Sequence, residues 1–152
     1  MRIMVKQGEN APNFEGLTSD GSKLSLKEFI GKKNVVLYFY PKDDTPGCTK
    51  EACNFRDNIR SLRDLGAEIV GVSLDSVESH KKFKDKYNLP FPLLSDKEKR
   101  IATAYGVLKE GGASANRFTF IIDRNGKIAK IFPKVDVSVH SEEVAAALRE
   151  LS

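Results

Sequence analysis

The sequence predicts an α/β fold, with a mixed central sheet, helices on both of its faces and an N-terminal β-hairpin, in a single domain over residues 1–152. Three observations carry this. VVLYFY (35–40) and AEIVGVSLD (67–75) are apolar, β-branched runs that suit strands buried on both faces. A long helical pattern separates them, so the unit is strand–helix–strand, with parallel strands joined by a right-handed crossover. Near each end of the chain, apolar and polar residues alternate about turn pairs, the pattern of antiparallel hairpins.

In order, NFEGLTSDGSKLSL alternates around Asp20-Gly21 and predicts the first hairpin. LKEFIGKKN gives a short helical turn closed by Gly31, and VVLYFY follows as a buried strand. The helical pattern then runs from about Pro46 to Leu65, with Gly66 as its stop. After the second buried strand, Asp75 and Glu78 have the spacing of a capping box opening the helix SVESHKKFKDKY. FPLLSD predicts a short strand, and KEKRIATAYG a third helix ending at Gly106. RFTFIID and KIAKIFP flank the turn DRNG as a second hairpin, and SEEVAAALREL closes the chain as an amphipathic helix. This is the layout of the thioredoxin-like fold. Reactive groups in such sheets gather where parallel strands end and helices begin.

Composition narrows the function. The net charge of +4 is modest, and basic residues are interleaved with acids, as in SHKKFKDKY, so the pattern is that of solvated helix faces and not of a nucleic-acid site. No apolar run approaches the length that spans a bilayer, and the N-terminal MRIMVKQGENAPNF has no secretory apolar core. The cytoplasm is the expected compartment. There the two cysteines, Cys48 and Cys53, should not form a structural disulfide. They lack metal-ligand spacing and partner ligands, the two histidines His80 and His140 being isolated and expected at surfaces or helix ends. No metal or other cofactor is expected.

Both cysteines fall in PKDDTPGCTKEAC (41–53). Thr45 precedes a proline and is biased to extended geometry, which suits an N-cap. Pro46 takes the first helical position, where its missing N–H costs nothing, and Cys48 falls at the third. Unpaired backbone N–H groups and the helix dipole there favour an anion, the thiolate. Cys48, Ala52, Phe55, Ile59 and Leu62 form one apolar stripe, so Cys48 points toward the sheet. A buried, inert core cysteine is the plain alternative reading.

Pro41, Thr45 and Cys48 satisfy the Pro-x-x-x-Thr-x-x-Cys motif of peroxiredoxins. The longer string DDTPGCTKEACNFRD resembles the peroxiredoxin Q, or bacterioferritin-comigratory-protein, subgroup, in which a second cysteine lies five residues after the first. GENAPNF, GVSLDSVESH, LPFPLLSD and RFTFIID extend the likeness over nearly the whole chain. Phe118 departs from it, standing where a small hydroxyl residue is usual.

The resemblance implies a thiol-dependent peroxidase acting on hydrogen peroxide and alkyl hydroperoxides. Cys48 would be the peroxidatic thiolate that becomes a sulfenic acid, and Cys53 the resolving thiol that closes an intramolecular disulfide. Thr45 would hydrogen-bond the thiolate or the peroxide, in competition with N-capping. Arg117 would lie beside Cys48, stabilising the thiolate and polarising the peroxide. Pro41 would shield the pocket, Glu51 would orient the arginine, and backbone N–H groups at Gly47 and Cys48 would complete the cradle. Recycling would need an external thioredoxin- or glutaredoxin-like dithiol protein, and the chain would be a monomer or weak homodimer, without nucleic-acid or membrane partners. On an unbroken helix, residues five apart have Cα atoms roughly 8.6 Å apart, too far for a disulfide, so the helix start should unwind on oxidation.

Two rivals share the fold. A thiol–disulfide oxidoreductase would want C-x-x-C at the helix start and a proline where Asn116-Arg117 stands, and neither is present. A non-enzymatic binding module would have no need of the threonine, cysteine and arginine together.

Overall fold

The computed structural model describes residues 5–151; residues 1–4, where the N-terminal segment opens, and residue 152 lie outside them. The elements in chain order are β1 (Glu15–Thr18), β2 (Lys23–Ser25), a 3₁₀ turn (Leu26–Glu28), β3 (Asn34–Phe39), α1 (Pro46–Asp57), α2 (Ile59–Asp64), β4 (Ala67–Ser73), α3 (Val77–Tyr87), β5 (Leu93–Ser95), α4 (Arg100–Ala104), β6 (Phe118–Ile122), β7 (Ile128–Phe132) and α5 (His140–Glu150). The strands form one sheet in the order β2-β1-β5-β4-β3-β6-β7. β3, β4 and β5 are parallel neighbours, and the two hairpins flank them in antiparallel register. The α/β, thioredoxin-like mixed sheet with its N-terminal hairpin is therefore the fold that forms.

β3 shows why its sequence does not alternate. Val36, Tyr38 and Tyr40 enter one core with residues of α1, α2, α3 and α5. Val35, Leu37 and Phe39 enter a second core, on the opposite face, with Leu26, Ile101, Ala102 and Tyr105. Burial on both sides removes any reason for a polar residue at alternate positions. No helix among the described residues is long and apolar enough to cross a membrane.

Three local expectations need correction. The helix expected from Pro46 to Leu65 is broken at Asn58, whose φ of −118° and ψ of 13° are not helical. The Asn58 side chain donates to the Asn54 carbonyl at 2.8 Å, the local bond by which asparagine competes with a helix. The Gly66 stop stands, with φ +81°. Ser76, not Asp75, caps α3, accepting from the Ser79 N–H at 3.2 Å, while Asp75 turns back to the Ser73 hydroxyl and the Asp43 N–H. Finally, α4 begins only at Arg100, because the Asp96 carboxylate accepts from the N–H groups of Ile101 and Ala102 and fixes the start there.

Candidate active site

β3 ends inside the sheet, and six residues, 40–45, carry the chain from it to α1. Asp44 turns this loop in the left-handed region, at φ 56°. Thr45 is extended (φ −98°, ψ 157°) and Pro46 is the first helical residue, as their order requires. The Thr45 carbonyl accepts the first helical bond, from Thr49 N–H at 2.8 Å. Its hydroxyl does not cap the helix, and donates instead to the Lys42 carbonyl at 2.9 Å. Cys48 follows within the first turn, packed in the core with Ala52, Phe55 and Leu62, and is 2% exposed. Ile59 also packs there, so the stripe survives the break in the helix.

Arg117 reaches this point from the far end of the sheet's antiparallel pairing. β6 runs against β3 with Phe118 opposite Phe39, so residue 117 lies beyond the end of β3, beside the start of α1. Its guanidinium forks: Nη2 donates to Cys48 Sγ at 3.3 Å and Nη1 to Glu51 Oε1 at 2.6 Å. A Cβ at position 47 would stand 3.2 Å from Arg117 Nη2, so glycine lets the guanidinium lie close over the first turn. Glu51 lies one helical turn beyond Cys48 and is fully buried. Burial pushes its carboxyl up to about 7, against the opposing pull of Arg117. Arg117 itself is held above its ordinary value: burial works against its charge, but Glu51 and Cys48 outweigh it. The guanidinium therefore remains a cation.

Cys48, Gly47, Glu51 and Arg117 are thus brought together. Thr45 stands at the same loop-to-helix junction with its hydroxyl hydrogen given to the Lys42 carbonyl, and Pro41 is half-buried in the same loop. Cys53 is half-buried further along α1, and both thiols are free. A cavity of about 580 Å³ lined by Gly16, Leu17, Ser76 and Arg100 lies elsewhere and includes none of these residues.

Sequence reading missed the network behind the loop. His80 is fully buried, not at a surface. Its Nε2 meets the Leu94 carbonyl at 2.9 Å, which can only accept, and its Nδ1 meets Asp43 Oδ2 at 2.7 Å. Tyr40 donates to Asp43 Oδ1 at 2.6 Å and Ser79 to Oδ2 at 2.8 Å. Asp44 is tied to the same helix by Lys86 (2.9 Å) and Tyr87 (2.8 Å). α3 thereby pins the loop that precedes Cys48. Asp43, Asp75 and His80 have the proximity of a cation site, but both His80 nitrogens are taken up by the bonds just described. His140 does open α5 but is also buried, against Thr119 at 2.8 Å and the rings of Phe55 and Phe132. The adjacent aspartates of KDD were the one available signal for a loop held by charge.

Comparison with known proteins identifies the family. The AhpC/TSA family model matches residues 7–131. The chain is 44% identical to peroxiredoxin Bcp of Bacillus subtilis over 99% of both chains. Among solved structures it resembles peroxidoxin BcpB of Mycobacterium tuberculosis, with a TM-score of 0.91, 34% identity and 99% of each chain covered. It also resembles the bacterioferritin comigratory protein of Xanthomonas campestris, described for its alkyl peroxide reduction, with a TM-score of 0.85, 35% identity and 91% of each chain covered. The chain belongs to the AhpC/TSA family, as a peroxiredoxin of the Bcp/peroxiredoxin Q subgroup, a thiol peroxidase that reduces peroxides with two cysteines in its sequence.

Proposed function

We propose that Cys48 is the peroxidatic residue, that Cys53 resolves it, and that the substrates are hydrogen peroxide and alkyl hydroperoxides, the latter as described for the Xanthomonas campestris relative. The observation that carries this is the Arg117 guanidinium donating to Cys48 Sγ at 3.3 Å on the first turn of a helix. A cation and a helix start both favour the thiolate over the thiol. The thiolate attacks the terminal peroxide oxygen, the S–O bond forms, the O–O bond breaks, and an alkoxide leaves and is protonated. Arg117 stabilises charge as it builds on that oxygen. Thr45, with its hydrogen committed to the Lys42 carbonyl, keeps an oxygen lone pair to accept the peroxide O–H. Glu51 orients Arg117, Gly47 admits it, and Pro41 covers the pocket.

The Cys53 thiol then attacks the sulfenic sulfur, forming the disulfide and releasing water. A thioredoxin- or glutaredoxin-like dithiol protein reduces that disulfide by exchange. The protein works in the cytoplasm, as a monomer or weak homodimer. Stopped-flow oxidation of the reduced protein by hydrogen peroxide, followed by recycling with each reductant, tests the scheme. Cys48→Ser should have no turnover, and Cys53→Ser should consume one equivalent and stall. Turnover in Cys48→Ser would overturn the assignment.

A further inference from the structure

One guanidinium in this site faces two acids, Glu51 on Nη1 and Cys48 on Nη2. Glu51 has no exposed surface, and its Oε2 has no hydrogen-bond partner among the described residues. The titratable groups around Glu51 are Arg117, just before β6, Cys48 on its own helix, which shares that guanidinium, and Tyr38 on β3, a phenol that burial keeps neutral. If Cys48 and Glu51 were both anionic, two buried negative charges would share one cation, with a bare carboxylate oxygen in the core. Buried charges persist only when paired, and like charges close together keep one member protonated.

We propose that Glu51 carries, as a carboxylic acid, the proton that balances the Cys48 thiolate, and releases it when peroxide consumes that thiolate. This rests on the reading of Cys48 as the reacting thiol. Before reaction the trio is thiolate, carboxylic acid and guanidinium, with no net charge. The sulfur lone pair forms the S–O bond, the O–O electron pair leaves on the alkoxide, sulfur is oxidised and the peroxide is reduced. The alkoxide gains one proton as Glu51 loses one. Afterwards the trio is neutral sulfenic acid, carboxylate and guanidinium, again with no net charge. The buried site never holds an unpaired charge, and Arg117 passes from one anion to the other without moving. Burial prepares Glu51 for this, since a carboxyl held at about 7 gains or loses a proton easily near neutrality. Glu51 acts on the reacting sulfur through Arg117, as a charge-balancing residue.

Infrared difference spectra test it, on Cys53→Ser protein oxidised at neutral pH with one equivalent of hydrogen peroxide. The reduced state should show the carbonyl stretch of a protonated carboxyl, shifted in heavy water and lost on oxidation. The band should be absent from C53S/E51Q, and isotope-labelled glutamate assigns it should that variant not fold. An indicator dye should report almost no proton uptake from solution in C53S and about one proton per thiolate consumed in C53S/E51Q. Sulfenic acid on Cys48, verified by mass spectrometry, with no change in any carboxyl band would overturn this inference alone. Failure to form sulfenic acid on Cys48 would instead overturn the reading on which it rests.

Discussion

Oxidation of Cys48 and Cys53 to a disulfide should unwind the start of α1. The helix is continuous from Pro46 to Asp57, so the two Cα atoms stand about 8.6 Å apart, against the roughly 4.4–6.8 Å that a disulfide needs. Phe55 stacks edge-on against His140 at 5.5 Å, and Asn54 Oδ1 accepts from Ser141 N–H at 2.8 Å, so the far end of α1 is anchored to α5. Opening should therefore begin at Pro46 and stop just beyond Cys53, leaving α2 folded. In the reduced protein the same opening takes the Ala52 methyl and the Cys48 Cβ and Sγ out of the core. At about 0.8 kcal/mol per carbon-sized group this costs about 2 kcal/mol, before the Arg117 contact is counted. Oxidation removes that cost, so amide exchange across residues 49–53 should accelerate at least about 30-fold, at 1.4 kcal/mol per tenfold. Hydrogen exchange by mass spectrometry on both forms is the assay, with β3, β4 and α2 as internal controls. Equal protection of 49–53 in the two forms, with the disulfide verified, would refute the reasoning.

Other consequences follow from the same geometry. Arg117→Ala should slow peroxide reduction by about 10²–10³ while circular dichroism is unchanged, since one aimed donor is lost; a near-wild-type second-order rate constant would count against its role. Glu51 titrates at about 7 in the fold against an ordinary 4.5. Between those values the unfolded chain has released a proton that the folded chain still holds, so stability falls as pH rises, by about 3 kcal/mol in all. Urea unfolding of the wild type should show this decline and Glu51→Gln should lack it; parallel pH profiles would contradict the assignment. His80→Leu strips Asp43 of a buried partner and should cost about 3–5 kcal/mol of stability, read from the urea midpoint. A loss below about 1 kcal/mol would mean that the network does not hold the loop.

The order of elements was legible because burial on both faces of β3 and β4 leaves an unbroken apolar run, and because Pro46 and Gly66 punctuate the crossover. The break at Asn58 was not legible, since it depends on a side chain choosing the Asn54 carbonyl over solvent. Ser76 displaced Asp75 as the cap because Asp75 is drawn to Ser73 and to the Asp43 N–H, partners set by tertiary structure. His80 read as isolated because its partners, Asp43 and Leu94, are distant in sequence; His140 has one distant partner, Thr119, and one local partner, Glu143, three residues on. Of the site, local order gave the position of Cys48 on its helix. Arg117 and Glu51 came from family likeness, and the register of β6 on β3 explains why residue 117 arrives there.

The central claim is that Cys48, held by Arg117 at the start of α1, is the atom that peroxide meets first. Trapping the reduced wild-type protein with a sulfenic-acid-specific reagent during a sub-stoichiometric pulse of hydrogen peroxide tests this directly. Peptide mass spectrometry should place the adduct on Cys48 and none on Cys53. An adduct on Cys53, with Cys48 unmodified, would contradict the account.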